Sequence, residues 1–247
     1  MTDDVSRETP STAPSVPSTP ASASTVFTVD RLAVATDYVE LLATDGVVRG
    51  LIGPREAPRL WSRHVLNCAV IADEIPPDSS VCDIGSGAGL PGLVLAIARP
   101  DAQVTLVEPL LRRTTFLEEA VGHLGLDNVE VVRGRAEALH GRRTFDVVTS
   151  RAVAPLERLL GWSMPLVEAQ GSLIAMKGQS VLGEIDAAAD FLRTWSCAVP
   201  VVTEVGEGVV DPQTTIVRVA WADPARVGWP LARSSGRRRP PARKRVR

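Results

Sequence analysis

Short β-branched apolar runs alternate with stretches of helical periodicity after Pro76 and Pro77 in this 247-residue chain. Such alternation with short links predicts an α/β fold with a doubly wound, mainly parallel sheet. The last two runs are separated by "EVGEGVVDPQ", which predicts a return that adds an antiparallel edge strand. The seven predicted strands span 81–84, 104–108, 129–133, 146–150, 173–177, 198–203 and 215–220, and the predicted helices between them span 90–98, 111–124, 155–167 and 181–194.

The part of the chain before the sheet shows two other patterns. Residues 1–25 are dominated by Ser, Thr, Pro and Ala, which cannot bury enough apolar surface to fold, so we expect a disordered arm. From Thr28 the apolar residues recur near one helical face, and a second helix is predicted over 58–73. The predicted organisation is therefore an arm (1–25), an N-terminal helical segment (26–75), an α/β domain (76–222) and a tail (223–247).

Composition excludes several classes of protein. No apolar run approaches the roughly 18 residues that a membrane span needs, and the polar start "MTDDVSRETP" does not resemble a secretory signal. The three cysteines, Cys68, Cys82 and Cys197, are far apart and show no metal-type spacing, so each is expected to be a small core residue. We therefore expect a cytoplasmic protein without a metal.

Charge is distributed unevenly. The tail from Arg233 to Arg247 carries seven arginines and Lys244 without an acid, so nineteen basic residues face twenty-nine acidic ones in the rest of the chain. A basic block on an acidic body is typical of a nucleic-acid contact, and it is equally consistent with a solvated, disordered end.

The stretch "VCDIGSGAGLPG" is the strongest candidate for a binding site. Gly85, Gly87 and Gly89 stand where the first strand ends and a helix begins, which is where an open α/β sheet leaves a ligand crevice. Glycine permits positive φ and a close approach of ligand to backbone. The alternative is that these glycines serve tight turns needed only for packing.

The acids nearby favour one ligand over another. Asp83 precedes the first glycine by two residues, and Glu108 ends the second strand, where an acid can accept both ribose hydroxyls. Asp83 would repel the pyrophosphate of a dinucleotide, whereas S-adenosylmethionine has cationic amino and sulfonium groups and no phosphate. After the third strand, Ala136 and Glu137 could flank the adenine, unless Glu137 is only a solvated acid at a helix start.

With these residues placed, the chain resembles the class I S-adenosylmethionine-dependent methyltransferases, which have a Rossmann-like sheet. More narrowly it is similar to the glucose-inhibited division protein B family, whose members methylate guanine N7 in small-subunit (16S) ribosomal RNA. The resemblance covers about residues 30–220. It is carried by "RHVLNC", "DIGSGAGLPG", "RRTTFL", "RAE", "SRAVA" and "MKG", of which the Leu-Pro-Gly and Ser-Arg-Ala segments are the most specific.

The resemblance implies roles for individual residues. Gly85 and Leu90 would line the cofactor, Ala136 and Glu137 would contact its adenosine, and Arg151 would border both cofactor and base. Two segments depart from the family pattern. "LLATDGVVRGLIG" replaces an expected Trp-Asn and Asn-Leu-Thr segment, and Asn67 stands where Asp is usual.

The chemistry of such a transfer also follows from the residues. "SRAVAP" after the fourth strand contains neither an Asn/Asp-Pro-Pro-aromatic segment nor a cysteine nucleophile. Guanine N7 has an exposed lone pair and no proton to lose, so transfer needs positioning and no general base. Arg151 and Lys177 end strands on the side of the crevice, so they are the candidates for contacts with RNA phosphates and the base edge. Lys177 is alternatively a surface lysine at a strand end without such a role. His64 with Arg63 meets the substrate or simply completes a helix face.

Two other functions remain open from the sequence. A small-molecule methyltransferase would use the same glycine loop and Glu108, although the basic tail, Arg112 and Arg113 favour RNA. A nucleotide-binding regulator or a dehydrogenase would bind without methyl transfer. The preferred reading is a monomeric enzyme that acts on 16S ribosomal RNA or the small ribosomal subunit, with no membrane and no metal.

Overall fold

Seven strands form a single sheet in the computed structural model, which describes residues 16–151 and 153–228. They are β1 (Ser80–Ile84), β2 (Gln103–Glu108), β3 (Val129–Arg133), β4 (Phe145–Arg151), β5 (Val167–Lys177), β6 (Val201–Val205) and β7 (Thr214–Ala220). Their order across the sheet is β3-β2-β1-β4-β5-β7-β6, and β1 to β5 are parallel. The predicted doubly wound α/β class is confirmed.

The antiparallel strand lies one position in from the sheet edge. β7 pairs antiparallel with both β5 and β6, so the edge strand β6 points the same way as β1 to β5. After β5 the chain forms β6 at the edge of the sheet, and a hairpin then returns it so that β7 lies between β5 and β6. The expected antiparallel return is present, but the strand that it adds is not the edge strand.

Seven α-helices flank the sheet in the described residues. They are α1 (Val29–Leu41), α2 (Leu66–Ala69), α3 (Gly92–Ala98), α4 (Leu111–Leu124), α5 (Leu156–Ser163), α6 (Val181–Ala187) and α7 (Ala189–Thr194). Consecutive strand residues face opposite layers, so Val81 packs in the core with α1, α3 and α4, whereas Cys82 packs in the core with α5 to α7. Both cores are continuous hydrophobic clusters, and the two layers hold the carboxyl ends of the strands in fixed positions.

The predicted helix over 58–73 is broken into several pieces. A 3₁₀ turn (Ala57–Arg59) leads into a π-helical segment (Leu60–Val65), then α2, and then a second 3₁₀ turn (Ala72–Glu74). Pro58 lies in the first turn, where a missing N–H is tolerated. π-Helical segments widen the backbone and are frequent at functional sites, and this one carries Arg63 and His64.

The arm is ordered closer to the N-terminus than its composition indicates. Ala21–Thr25 forms a 3₁₀ turn in which Ala23 is fully buried, and Phe27 beside it is buried in the same core as α1. Burial of Ala23 and Phe27 against this core offsets the conformational entropy that the segment loses on ordering. The polar neighbours of these two residues would not offset that loss by themselves. Disorder is therefore wrong for this turn, whereas residues 1–15 and the basic tail 233–247 lie outside the described residues.

Candidate active site

Two adjoining cavities open at the carboxyl ends of β1, β2 and β4, where the strand order of the sheet reverses. The first, of about 690 Å³, is lined by the glycine loop and is called here the glycine-loop cavity. The second, of about 1180 Å³, is lined by residues of β4, β5 and the β6–β7 connection and is called the second cavity. Both include Glu56, His64, Arg151 and Val153, so these residues form a wall common to the two spaces.

The glycine loop is shaped by its backbone. Gly85 and Gly87 have φ values of 73° and 58°, which side chains rarely permit. The Gly85 N–H donates to the Val107 carbonyl at 2.8 Å, which ties the loop to the end of β2. A Cβ built on Gly85 would lie 3.1 Å from Val153 Cγ2, so a side chain there would crowd the opposite wall. Both glycines line the glycine-loop cavity, and their predicted contact with the cofactor stays a prediction.

Glu108 lies on the cavity wall with its side chain almost fully buried. Its Oε2 accepts from the Gly87 N–H at 3.0 Å, and its Oε1 accepts from the Leu110 N–H at 3.0 Å. Arg113 Nη1 lies 3.4 Å from Oε2. The carboxylate is therefore a fixed acceptor that joins the glycine loop to the start of α4 and faces the cavity.

Asp83 does not line either cavity. It is fully buried beneath the loop, where its Oδ2 accepts from the Gly92 N–H at 3.0 Å, and Oδ1 has no partner among the described residues. Burial in low dielectric disfavours its charge and raises its pKa from 3.8 to about 7. Asp83 therefore holds the first residue of α3, and its predicted contact with the cofactor stays a prediction.

Gly89 also lies away from the glycine-loop cavity. Its φ is 99°, and a Cβ there would come within 2.9 Å of the Tyr38 hydroxyl. That hydroxyl donates to the Ala88 carbonyl at 2.7 Å from the buried helix α1. Gly89 therefore allows α1 to pack against the loop on the side away from the cavity, and the cofactor contact predicted for Gly89 stays a prediction.

The other predicted cofactor residues do line the glycine-loop cavity. Leu90 follows the loop, and Ala136 and Glu137 lie in a 3₁₀ turn just after β3. Ala136 is buried and Glu137 is exposed, so the pair presents an apolar and a charged surface together. Their contact with adenosine stays a prediction.

Arg151 ends β4 in the wall between the two cavities. Its Nη2 lies 2.6 Å from His64 Nδ1, and its Nη1 donates to the Arg63 carbonyl at 3.3 Å and contacts Cys68 Sγ at 3.6 Å. All three partners belong to the π-helical segment and α2. Of the two roles that the sequence left open for His64, contact with the site is the one that the structure favours.

Lys177 ends β5 and lines the second cavity only. Its Nζ donates to the Ala154 carbonyl and to Glu184 Oε2, both at 2.7 Å, and 8% of its side chain is exposed. Glu184 also accepts from the Leu156 N–H at 2.8 Å. Lys177 is thus not a plain surface lysine; it is a positioned cation in a network that ties β5 to α5 and α6.

Several site residues were not identified from the sequence. Glu56, Arg135, Arg158 and Trp162 all line the glycine-loop cavity, and the Arg158 guanidinium lies 4.8 Å from the Trp162 ring centroid. Arg158 and Trp162 lie four residues apart on α5, whereas Glu56 and Arg135 belong to two segments distant from α5 in the chain, with no motif spacing to connect the three segments. Only the basic charge of the arginines was a signal, and basic residues are too common for it to be specific.

Neither a bilayer-crossing helix nor a metal-binding cluster of side chains is present among the described residues. None of the helices within 16–151 and 153–228 has the length and apolar character that a bilayer crossing requires. In the same ranges no three His, Cys, Asp or Glu residues are grouped as they would be to hold a metal ion.

Comparison with known sequences identifies relatives over most of the chain. The model of the GidB family, described as rRNA small subunit methyltransferase G, matches residues 31–210. A protein named ribosomal RNA small subunit methyltransferase G from Nocardioides sp. is 65% identical over 94% of this chain and 90% of its own length. A protein of the same name from Thermobifida fusca is 54% identical over 87% of this chain and 91% of its own.

Solved structures share the fold at much lower identity. The TYW2 protein of M. jannaschii, crystallised in complex with AdoMet, superposes with a TM-score of 0.52 and 15% identity over 65% of this chain and 76% of its own. A SAM-dependent O-methyltransferase from Thermotoga maritima gives a TM-score of 0.50 and 13% identity over 63% of this chain and 64% of its own. At such identities the likeness concerns the sheet and its helices.

Proposed function

The chain belongs to the rRNA small subunit methyltransferase G family, and from this premise we propose that it transfers a methyl group from S-adenosylmethionine to N7 of a guanine in 16S ribosomal RNA. The observation that carries the proposal is the common wall of Glu56, His64, Arg151 and Val153, with one cavity on each side. A methyl donor and an acceptor base need adjoining sites, because transfer requires their reacting atoms in line and in contact.

The residues of the glycine-loop cavity fit S-adenosylmethionine. Its lining carries both acids (Glu108 and Glu137) and bases (Arg113 and Arg135), which suits a ligand with groups of both signs. Arg113 Nε is a buried donor without a partner among the described residues. When bound, the cofactor supplies an electrophilic methyl group on a sulfonium. Glu108 would accept from the ribose hydroxyls, while Leu90 and Ala136 would pack against the adenosine.

The second cavity supplies the contacts that an RNA acceptor needs. Arg151 and Lys177 present positive charge in a wall that also contains five carboxylates (Glu56, Glu184, Glu204, Glu207 and Asp211), and guanidinium and ammonium groups donate to guanine O6 and to phosphates. The Glu184 carboxylate is held by Lys177 and a backbone N–H, so it is not poised to take a proton. N7 has no proton to lose, so a site that orients the base without a general base is sufficient.

The proposed partner is the small ribosomal subunit or its 16S RNA, and the proposed site of action is the cytoplasm, where that RNA is. Family membership supports a ribosomal RNA substrate. The further expectations of a monomer without a metal and without a membrane stay predictions. The rival readings as a small-molecule methyltransferase or as a dehydrogenase have no observation in their favour beyond the shared fold.

Mass spectrometry of 16S RNA from cells with and without the protein tests this proposal. We expect one N7-methylguanine to disappear on deletion and to return when the wild-type chain is restored. Arg151→Ala and Lys177→Ala should restore little of it, because losing the position of the base costs about 100-fold in rate. Arg193→Ala, at an exposed arginine on α7, is the control and should restore methylation fully. An unchanged N7-methylguanine content after deletion would refute the proposal.

A further inference from the structure

Arg151 is held in place by a single neighbouring segment. Its Nη1 contacts the Arg63 carbonyl and Cys68 Sγ, and its Nη2 is 2.6 Å from His64 Nδ1. Guanidinium has five N–H donors, so these three contacts leave two donors for a substrate. The direction in which those two donors face is therefore set by the π-helical segment, which lies almost ninety residues before Arg151 in the chain.

The contact with Arg151 fixes the tautomer of His64. Arginine can only donate, so Nδ1 must be the unprotonated, accepting nitrogen of the imidazole. The ring proton then lies on Nε2, which is 3.0 Å from Glu56 Oε2 and donates to it. Arg151 therefore donates to His64, and His64 in turn donates to Glu56. The imidazole must be neutral for both of these hydrogen bonds to exist.

The surroundings keep His64 neutral near pH 7. Its partial burial lowers its pKa from the ordinary 6.5, and the positive charge of Arg151 lowers that pKa further, while Glu56 acts in the opposite direction. Arg63, on its own segment, adds to the lowering. The second cavity that His64 lines also contains, from β5, β6 and the β6–β7 connection, Lys177, Glu204, Glu207 and Asp211.

We infer that Glu56 and His64 are positioning residues, which aim the free donors of Arg151 at the acceptor base by way of the neutral Nε2–H tautomer of His64. This inference rests on the proposed function for the identity of the substrate. It explains why the wall common to both cavities contains a carboxylate and an imidazole although methylation at N7 needs no proton transfer. Protonation of Nδ1 would remove the acceptor of Arg151 and place a second positive charge beside it.

Two amide substitutions distinguish positioning from space filling. In His64→Asn the amide oxygen takes the place of Nδ1 and can still accept from Arg151, whereas in His64→Gln the amide group takes the place of Nε2 and reaches only Glu56. We expect His64→Asn to keep most of the parental kcat, and His64→Gln and His64→Ala to lose about 10- to 100-fold, since a displaced arginine misplaces the base.

The pH profile supplies a second kinetic readout. Wild-type kcat should fall as the pH drops below the pKa of His64, and this acid limb should be absent in His64→Asn, whose amide does not titrate. His123→Asn, at an exposed histidine of α4, is the matched control and should keep the wild-type profile. If His64→Gln is more active than His64→Asn, as its closer size would predict for a space-filling role, the inference fails.

A measurement without RNA separates this inference from the proposed function. Nitrogen and carbon chemical shifts of the His64 ring should report the Nε2–H tautomer in the free wild-type protein. Arg151→Ala should raise the pKa of His64, because a neighbouring positive charge is removed. The Nδ1–H tautomer, or a pKa unaffected by Arg151→Ala, would overturn the inference. The expected shifts together with an absence of RNA methylation would instead count against the proposed function alone.

Discussion

Glu108 is the residue on which the glycine-loop cavity most depends. Its two oxygens bind backbone N–H groups on two sides of the cavity, and its carboxylate is buried on the wall. Its place at the end of a predicted parallel strand indicates the edge of the crevice, because the carboxyl ends of parallel strands lie at that edge, and Glu108 does line the cavity there.

Glu108→Ala should weaken the binding of S-adenosylmethionine by about 1–3 kcal/mol, the cost of leaving polar partners unsatisfied. Isothermal titration calorimetry on the folded variant measures the change. Glu118→Ala, an exposed acid on α4, is the matched control and should bind like the wild type. Unchanged affinity in Glu108→Ala would show that the carboxylate only supports the loop.

Asp83 gives the fold a pH dependence that can be measured. The unfolded chain loses the Asp83 proton near pH 3.8, whereas the folded chain keeps it until about pH 7. The folded state therefore binds more protons across this window, and its free energy of unfolding falls as pH rises from about 4 to 7. Asp83→Asn keeps an acceptor for the Gly92 N–H without a charge.

Urea unfolding at pH 5 and pH 8 tests this dependence. We expect the wild-type protein to lose more stability between the two pH values than Asp83→Asn does, because the variant has no buried carboxyl to ionise. Asp127→Asn, at an exposed position, should behave like the wild type. Equal losses in all three proteins would mean that Asp83 is ionised throughout, for instance through an unseen partner at Oδ1.

At the scale of elements, α4 and the segment over 58–73 show why one prediction was accurate and the other was not. α4 spans Leu111–Leu124 as predicted, because its buried face recurs regularly and Gly125, with φ of 62°, ends it locally. The other segment is equally apolar, but it must bring the Arg63 carbonyl, His64 and Cys68 to one guanidinium. That requirement comes from β4, so local periodicity cannot show it.

Gly92 at the start of α3 provides an element-scale test. A Cβ there would lie 2.7 Å from Asp83 Oδ2 and closer still to Leu106, so Gly92→Ala should destabilise the protein by about 1–3 kcal/mol through overpacking. In Gly122→Ala, at an exposed site of α4 with nothing within 4 Å, the helix should gain about 0.5–1 kcal/mol. Thermal and urea unfolding measure both. A neutral Gly92→Ala would show that α3 can shift away from β1.

At the scale of the whole molecule, we expect the uneven distribution of charge to govern the approach to RNA. An acidic body is repelled by a polyanion, and we expect the eight positive charges of residues 233–247 to offset this by contacting phosphates and releasing counterions. Residues 233–247 lie outside the described residues, so this prediction depends on the sequence alone. We therefore expect the tail to capture the RNA substrate and the α/β domain to carry out methyl transfer.

Deletion of 233–247 should leave S-adenosylmethionine binding unchanged, because the glycine loop and Glu108 lie in the α/β domain. Binding to small ribosomal subunits should weaken at physiological salt, and its salt dependence should be shallower, since fewer counterions are released. A salt series with both chains measures this. Coincident curves would mean that the tail is only a solvated end.

The sequence by itself determined the fold class and the position of the glycine loop, because hydrophobic period and turn chemistry are local properties. The order of the strands across the sheet came from the tertiary structure. It also determined that Glu108 and Arg151 reach the crevice, since each ends a parallel strand. Only the tertiary structure decided that Asp83 and Gly89 face away from the cavity and that Lys177 pairs with Glu184. Side-chain direction and partner choice depend on packing between segments distant in the chain, and a linear pattern contains no information on that packing.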